Sequence, residues 1–324
     1  MAPVIVCVGL TTIDIAQVVD ALPAADSKIT ADRAWLDVGG PAANAARVAH
    51  REGCQVRLVT ALGDSSLATL ARERLDGIEI IDIAPPDCQL PVSTIFITPD
   101  GSRAVVSRNA AALESAGSPG AEVLKDVDVV LHDGHLLEAS LLLAQNPAPI
   151  QVLDGGSWKP GLELLLPLLD VAVVSADFAL PGSTPDQALD DLAGFGIPRL
   201  ARSCGAEPVQ AMIGEQLGIF PVPQVEAVDT TGAGDAFNGA LAAELARDPT
   251  LPLAAAIRYA SAYAGVSTER RGAALAMPTR DEVAARIAHS IGPAYEGFAS
   301  VAGTLPFDLE PANFRLVQAA KVSK

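Results

Sequence analysis

Basic residues are scarce in this chain. Its 324 residues carry 22 Lys and Arg against 39 Asp and Glu, a formal charge of −17. So acidic a surface repels a phosphate backbone, which excludes non-specific nucleic-acid binding. Any phosphate handled here has to be met by backbone N–H groups, a helix N-terminus and Mg²⁺. Long apolar runs are missing as well. Half the residues are hydrophobic, but Pro, Gly or charge breaks each run before the ~20 residues a bilayer crossing needs, so no membrane partner is expected. MAPVIVCVGL has no basic leader ahead of its apolar core and reads as a first buried strand, which makes the cytoplasm the expected location. Cysteines number four, Cys7, Cys54, Cys88 and Cys204. They lie far apart without a C-x-x-C pair, which excludes a zinc site and a disulfide framework and leaves reduced thiols. Aromatic residues make up 4%, and with the abundant alanine this reads as compositional bias that carries no function.

What the chain does have is rhythm. Short Val/Ile-rich runs recur near residues 4, 56, 127, 150 and 170 (VIVCVGL, VRLVTAL, VDVVLHDG, IQVLDGG, DVAVVSA). Helical patterns fit between them, at Pro41–Glu52, Ser65–Leu75 and Pro185–Gly194. That alternation predicts βα units and a doubly wound α/β domain around a mostly parallel sheet. Two stretches break the rhythm, Ile13–Val38 and Leu90–Asn109, the second with a Pro99-Asp100-Gly101 turn between β-rich arms. They are expected to pair into a small separate sheet with one face free to cover a ligand or meet a second subunit. One domain over 1–290 is expected, with these two segments inserted. The tail 291–324, which contains GPAYEGF and LPFDLEP, loses periodicity and is assigned no role.

Two segments carry chemistry. In Val228–Leu241, VDTTGAGDAFNGAL, a short β-rich approach leads to Gly232-Ala233-Gly234 and then a helix to about Ala246. Small residues at such a turn aim backbone N–H groups at one spot before a helix N-terminus, which makes an anion hole. Asp235, in the first turn, is placed to accept a hydroxyl proton while those N–H groups stabilise a transferring phosphoryl group. In isolation G-x-G-D also fits a capped helix after a tight turn. The run is neither G-x-G-x-x-G, since Phe237 interrupts it, nor a P-loop, which needs G-K-[ST]. The second segment is DVGGPAANAARVAH, Asp37–His50: Gly39 and Gly40 permit close backbone approach, Pro41 suits a first helical position, and Asn44 follows one turn on.

Together, in this order and about 190 residues apart, these segments resemble the PfkB or ribokinase-like carbohydrate kinases. The resemblance spans roughly residues 4 to 287 and includes Gly63-Asp64, the PDGSR turn and the D-T-T-G-A-G-D signature. It implies a ribokinase-like fold and a kinase that uses ATP and Mg²⁺ to phosphorylate a small sugar. Asp235 is then the base, and Gly232, Ala233 and Gly234 are the anion hole. Asp14, Gly39, Gly40 and Asn44 become the sugar site. Ser203, Gly205, Thr230 and Gly272 fall at nucleotide positions with Gly232 and Gly234. Asp229 and Thr231 match residues that help hold a monovalent cation such as K⁺. The inserted segments become a lid that often doubles as a homodimer interface. Lys28 and Arg108 lie on it where they can contact an anionic or polar substrate, although each alone also fits solvated surface. His132 and His135 read as packed or surface histidines.

The chain also departs from the family pattern. Ser175 and Phe178 stand where many members carry N-x-x-E, which organises water around Mg²⁺, with Asp177 beside them. Pro208 replaces the last glycine of T-x-G-x-x-G, removing an N–H and fixing φ. These departures, with GGPAANAA and VLDGGSWKP, look closer to the ketohexokinase and sulfofructose kinase branch and point to a ketose, a furanose-form sugar or an acidic derivative. A nucleoside kinase is the alternative within the fold, against which the aromatic-poor lid counts, Trp35 and Phe96 being its main rings. A sugar-binding regulator without turnover is the alternative outside catalysis. A nicotinamide dehydrogenase is disfavoured by the missing glycine fingerprint.

Overall fold

The computed structural model describes residues 2–85, 87–99, 103–107, 117–270, 272 and 277–289. Arg108, the Asp100-Gly101 turn and the tail 291–324 lie outside them. Among the described residues seven strands form the parallel part of the main sheet: β1 (Val4–Val8), β4 (Gln55–Thr60), β5 (Glu79–Asp82), β8 (Val129–His132), β9 (Ile150–Gly155), β10 (Val171–Ser175) and β11 (Arg199–Cys204). From β11 the antiparallel strands β12 (Glu207–Ile213) and β13 (Gln216–Phe220) extend that edge, giving the order β13-β12-β11-β10-β9-β8-β1-β4-β5. Residues β1, β8 and most of β9 and β10 are buried on both faces, as parallel strands between two helical layers must be. Alternation divides them: Ile5 and Cys7 pack into the core under one layer, Val6 and Val8 into the core under the other.

The first layer holds α1 (Pro41–Arg51), α5 (Ala233–Arg247), α6 (Leu253–Thr268) and α7 (Arg280–His289). Proline at the first turn starts α1 where its missing N–H costs nothing. Helices α1 and α5 touch almost backbone to backbone, because a Cβ on Gly239 would lie 2.7 Å from Ala45 O and 2.8 Å from Val48 Cβ. That contact brings the N-terminal ends of α1 and α5 together at the carboxyl end of the sheet. Shorter helices α2 (Ser66–Arg74), α3 (Leu137–Ala144) and α4 (Ala188–Ala193) complete the set.

The two interrupting stretches form the expected second sheet. It contains β2 (Thr12–Val18), β3 (Arg33–Gly39), β6 (Val92–Ile97) and β7 (Arg103–Ser107) in the order β3-β2-β6-β7. Strands β2 and β6 run parallel, and the two outer pairs are antiparallel. Register places Asp14, Ala16, Trp35 and Ile95 on one face, and Ile15, Leu36, Thr94 and Val106 on the other.

Two local expectations need correction, and the Pro208 departure finds its place. Pro185–Gly194 is not one helix: Pro185–Gln187 is a 3₁₀ turn under a Thr184–Gln187 capping box, and α4 starts after it. The approach to the signature is not a strand. Pro221 and Pro223 cannot donate to a ladder, and Val228 and Asp229 instead donate their N–H groups to Thr268 O, at 2.7 and 3.0 Å. Pro208 sits inside β12, where the β11–β12 register slips between Arg202 and Cys204, a bulge that removes the need for its missing N–H.

Candidate active site

Gly232 caps α5 in the left-handed region, at φ 73°, a conformation that costs other residues strain. It turns the chain so that Ala233 donates its N–H back to Thr230 O at 3.3 Å, while the amides of Gly234 and Asp235 find no backbone acceptor among the described residues. Space at the turn is open, since a Cβ on Gly234 would meet no atom within 4 Å. An anion can therefore approach those amides and the positive end of the helix dipole.

Asp235 follows in the first turn. Asn44 of α1, 191 residues away in sequence, donates Nδ2–H to its Oδ2 at 2.7 Å. Desolvation pushes the Asp235 carboxyl up to about 6; the Asn44 bond opposes this, Asp133 and Asp14 add to it, and Arg103 opposes it. Asn44 is 7% exposed and its Oδ1 has no partner, leaving a buried acceptor beside the carboxylate.

Asp14 comes from β2, on the inner face of the small sheet. Thr12 Oγ1 donates to its Oδ1 at 2.8 Å. Burial raises its carboxyl above the ordinary range, against the hydrogen bonds of Thr12 and Ser93. Gly39 exists to make room: a Cβ there would lie 2.0 Å from Asp14 Oδ2. Gly40, at φ 97°, leads the chain past Leu10 O into α1. Asp14, Trp35, Asn44, Ile95, Thr231 and Gly272 line one small pocket between the small sheet, α1 and the signature loop. The predicted sugar residues and the start of the signature thus converge. A wider cleft of about 790 Å³ between Pro221–Gln224 and α6–α7 includes none of them.

Asp229 braces the signature loop. Its Oδ1 accepts from Thr231 N at 2.9 Å and its Oδ2 from Gly272 N at 3.0 Å. Thr230 and Thr231 each accept, through Oγ1, a hydrogen bond from Arg103 at 3.2 Å. Ser203 lies opposite Ser175 in the β10–β11 register, and Gly205 turns the hairpin at φ 62°. Lys28 is exposed and outside the pocket lining. His132 is fully buried, its Nε2 2.9 Å from Gln151 Oε1, and burial lowers it to about 4, so it is a core group.

The profile described as pfkB family carbohydrate kinase matches residues 3–280. The chain belongs to that family. It is 26% identical to the ribokinase of Bacillus subtilis over 302 residues, 86% of this chain and 97% of that one. Fructokinase-1 of Zea mays is 41% identical over 71 residues, 20% of this chain and 22% of that one. A putative ribokinase from Agrobacterium tumefaciens superposes with a TM-score of 0.79 at 25% identity, covering 89% of this chain and 98% of that one. The Arabidopsis thaliana ribokinase complexed with ribose and ATP shares the fold, with a TM-score of 0.72 at 21% identity, 89% and 99% covered. The fold is ribokinase-like, the second sheet is the lid, and the class of reaction is phosphoryl transfer to an alcohol.

This pfkB kinase does not offer the family's usual carboxylate near Mg²⁺. Phe178, at the glutamate position, is fully buried with its ring 6.2 Å from that of Trp158. Ser175 Oγ donates to Gly156 O at 2.8 Å, and Asp177 is exposed. A packed phenylalanine cannot organise metal-bound water, so those positions do not fit that role. Among the described residues no group of three or more His, Cys, Asp or Glu side chains is placed to hold a metal.

Three residues of this kinase escaped the sequence reading. Arg103 was in view as the end of PDGSR, but its partners are 127 and 128 residues away. Asp133 in LHDGH is 2% exposed; its Oδ2 accepts from Leu10 N at 2.8 Å and Ala42 N at 3.2 Å, its Oδ1 from His135 N at 2.9 Å. It ties the β1–β2 turn to the start of α1, and a Cβ on Gly9 would overlap it at 1.9 Å. Burial raises the Asp133 carboxyl, but His135 and these backbone bonds outweigh it and hold it below the usual range. Asp154, in VLDGG at the end of β9, is the third: it is buried, and desolvation, with Asp235 and Asp133 nearby, raises its carboxyl well above the usual range.

Proposed function

We propose that the protein transfers the γ-phosphoryl group of ATP to a hydroxyl of a small sugar, with Asp235 as general base. The observation that carries this is the Asn44–Asp235 hydrogen bond of 2.7 Å, which joins the sugar-site helix to the first turn of the anion-hole helix. A sugar held by Asp14 and Asn44 presents a hydroxyl to Asp235. The base removes the proton as the oxygen attacks phosphorus, and the Gly232–Gly234 amides stabilise charge on the phosphoryl oxygens. Positioning and electrostatics supply most of the catalysis. A ketose, a furanose-form sugar or an acidic derivative is the favoured substrate, and the small, carboxylate-lined pocket supports a polyhydroxylated ligand.

Arg103 adds a lid contribution. Its guanidinium rests on the Thr230 and Thr231 hydroxyls, beside the turn where phosphates bind, and in an acidic chain it supplies scarce positive charge. Arg103→Ala is expected to lower kcat/KM for ATP about tenfold, the scale of one hydrogen bond to a charged group. The dissociation constant of the sugar, measured by calorimetry without nucleotide, is expected to stay within about twofold. Equal losses on both sides would remove the assignment to the phosphate end.

Asp229 and Thr231 are retained as neighbours of a K⁺ site. Dimerisation through the lid is supported by Leu36 and Val106 on its outer face, 44% and 67% exposed. Leu36→Asp is expected to turn a dimer into a monomer in analytical ultracentrifugation; a monomeric parent protein defeats the idea. Among the described residues no helix is long and apolar enough to cross a membrane.

Coupled ADP release with MgATP over ketoses, aldoses, sugar phosphates, sulfosugars and nucleosides, with and without K⁺, tests the reading. Turnover is expected with a ketose or an acidic sugar. Trp35 among the pocket residues gives a nucleoside base one ring to stack on, so turnover with nucleosides alone would favour a nucleoside kinase. Sugar binding without ADP release from any compound would favour a regulator.

A further inference from the structure

Three backbone N–H groups from distant parts of the chain meet on the buried carboxylate of Asp133, just past the end of β8. Leu10 N and Ala42 N donate to its Oδ2 at 2.8 and 3.2 Å, and His135 N donates to its Oδ1 at 2.9 Å. The two donors on Oδ2 belong to the segments that carry the proposed sugar-site residues. Leu10 lies in the link between β1 and β2, four residues before Asp14; Ala42 lies in the first turn of α1, two residues before Asn44. Those segments also touch directly, Ala43 N donating to Leu10 O at 3.4 Å, and a Cβ on Gly40 would lie 2.3 Å from that oxygen. The link is tied to β4 as well, where Gly9 N donates to Val59 O at 3.0 Å and Thr60 Oγ1 to Thr11 Oγ1 at 2.9 Å. One carboxylate oxygen is thus a common anchor for the strand with Asp14 and the helix with Asn44.

We propose that Asp133 is a positioning residue of the sugar site, a buried carboxylate that touches no substrate but fixes the spacing of Asp14 and Asn44 by holding both of their segments on Oδ2. Its charge has a second effect. Three N–H donors and the His135 ring, whose Nδ1 lies 3.2 Å from Oδ1, keep Asp133 ionised against its burial. The Asp14 and Asp235 carboxyls, with fewer donors, are pushed up instead. A fixed negative charge near Asp235 favours its protonated form, so the clamp that sets the sugar site also tunes the base. The other charged groups facing Asp235 are Asp14 of β2, Arg103 of β7 and Asp154 of β9.

The effects on turnover rest on the proposed sugar site and base; the clamp does not, and amide hydrogen exchange of the full-length protein reads it directly. Asp133→Ala leaves three N–H groups without this acceptor. Exchange is expected to speed up about tenfold or more in segments 10–14 and 41–44, with β9 and β10 unchanged. The KM for sugar is expected to rise roughly tenfold, and that for ATP less. Asp133→Asn keeps one oxygen for Leu10 and Ala42 but removes the charge. It is expected to lose no more than about threefold in sugar KM, since those two bonds survive. Its acid limb of kcat/KM is expected to move to lower pH, a change that a merely structural role would not produce. Exchange that rises evenly over the sheet, equal rises in the two KM values, or an unmoved limb in Asp133→Asn while Asp235→Asn is inactive would each overturn the proposal. Should Asp133→Ala not fold, the sugar KM and acid limb of Asp133→Asn still decide. Local exchange as expected, together with normal sugar affinity in Asp14→Ala, would instead fault the sugar-site assignment alone.

Discussion

Asp235→Asn is expected to lower kcat by about two to four orders of magnitude, the usual contribution of a positioned general base. Sugar affinity, measured by calorimetry without ATP, is expected to stay near that of the parent, because Asn44 and Asp14 remain. The acid limb of the parent's kcat/KM profile should fall near pH 6, since the carboxyl is pushed up to about 6 and must be ionised to accept a proton. Stability gives an independent sign. The carboxyl holds its proton more tightly in the folded protein than its ordinary value of 3.8. Its contribution to stability is therefore complete at low pH and is lost as pH rises through about 6. Above that, the ionised group is a liability that asparagine removes, so the variant should unfold at no lower temperature than the parent at pH 7. Near-normal turnover by Asp235→Asn would dismiss it as the base.

The second large effect is expected at the sugar end. Asp14→Ala removes a half-buried carboxylate that the proposed function assigns to sugar hydroxyls, and hydrogen bonds to charged groups contribute about 1.5 to 3 kcal/mol each. The KM for sugar should rise roughly ten- to hundredfold, with a smaller change for ATP. Gly39→Ala should reproduce this without touching a polar group, because its methyl falls 2.0 Å from Asp14 Oδ2 and displaces the carboxylate. Should Gly39→Ala bind sugar normally, Asp14 is not the acceptor.

The parts legible in the sequence are those where a local pattern answers to a local force. Strands β1, β4, β8, β9 and β10 stood out because burial between two helical layers demands unbroken Val/Ile runs. The short, half-exposed β5 and the β12–β13 hairpin left weaker traces. The lid segments were visible as departures from that rhythm, Asp235, Asn44 and Gly39 through motifs set by backbone geometry, and Asp14 only through the family resemblance. Arg103, Asp133 and Asp154 were not legible. Each is a single polar residue at a strand end, and its meaning lies in partners that only the fold brings near. Pro208 and Phe178 show the reverse: the sequence flagged a conflict, and the structure absorbs it in a bulge and in the core.

Strand β2 leaves the main sheet only three residues after β1, and Asp133 pins that short link through Leu10 while also holding the start of α1. A lid that turned about this link would turn about a clamped point. Asp14, the third residue of β2, would sweep a short arc; Arg103, on the far edge strand, would move farther for the same rotation, and in the structure it reaches Thr230 and Thr231. The residue proposed to grip the sugar and the one proposed to reach the phosphates thus sit at unequal distances from one pinned link within a small sheet.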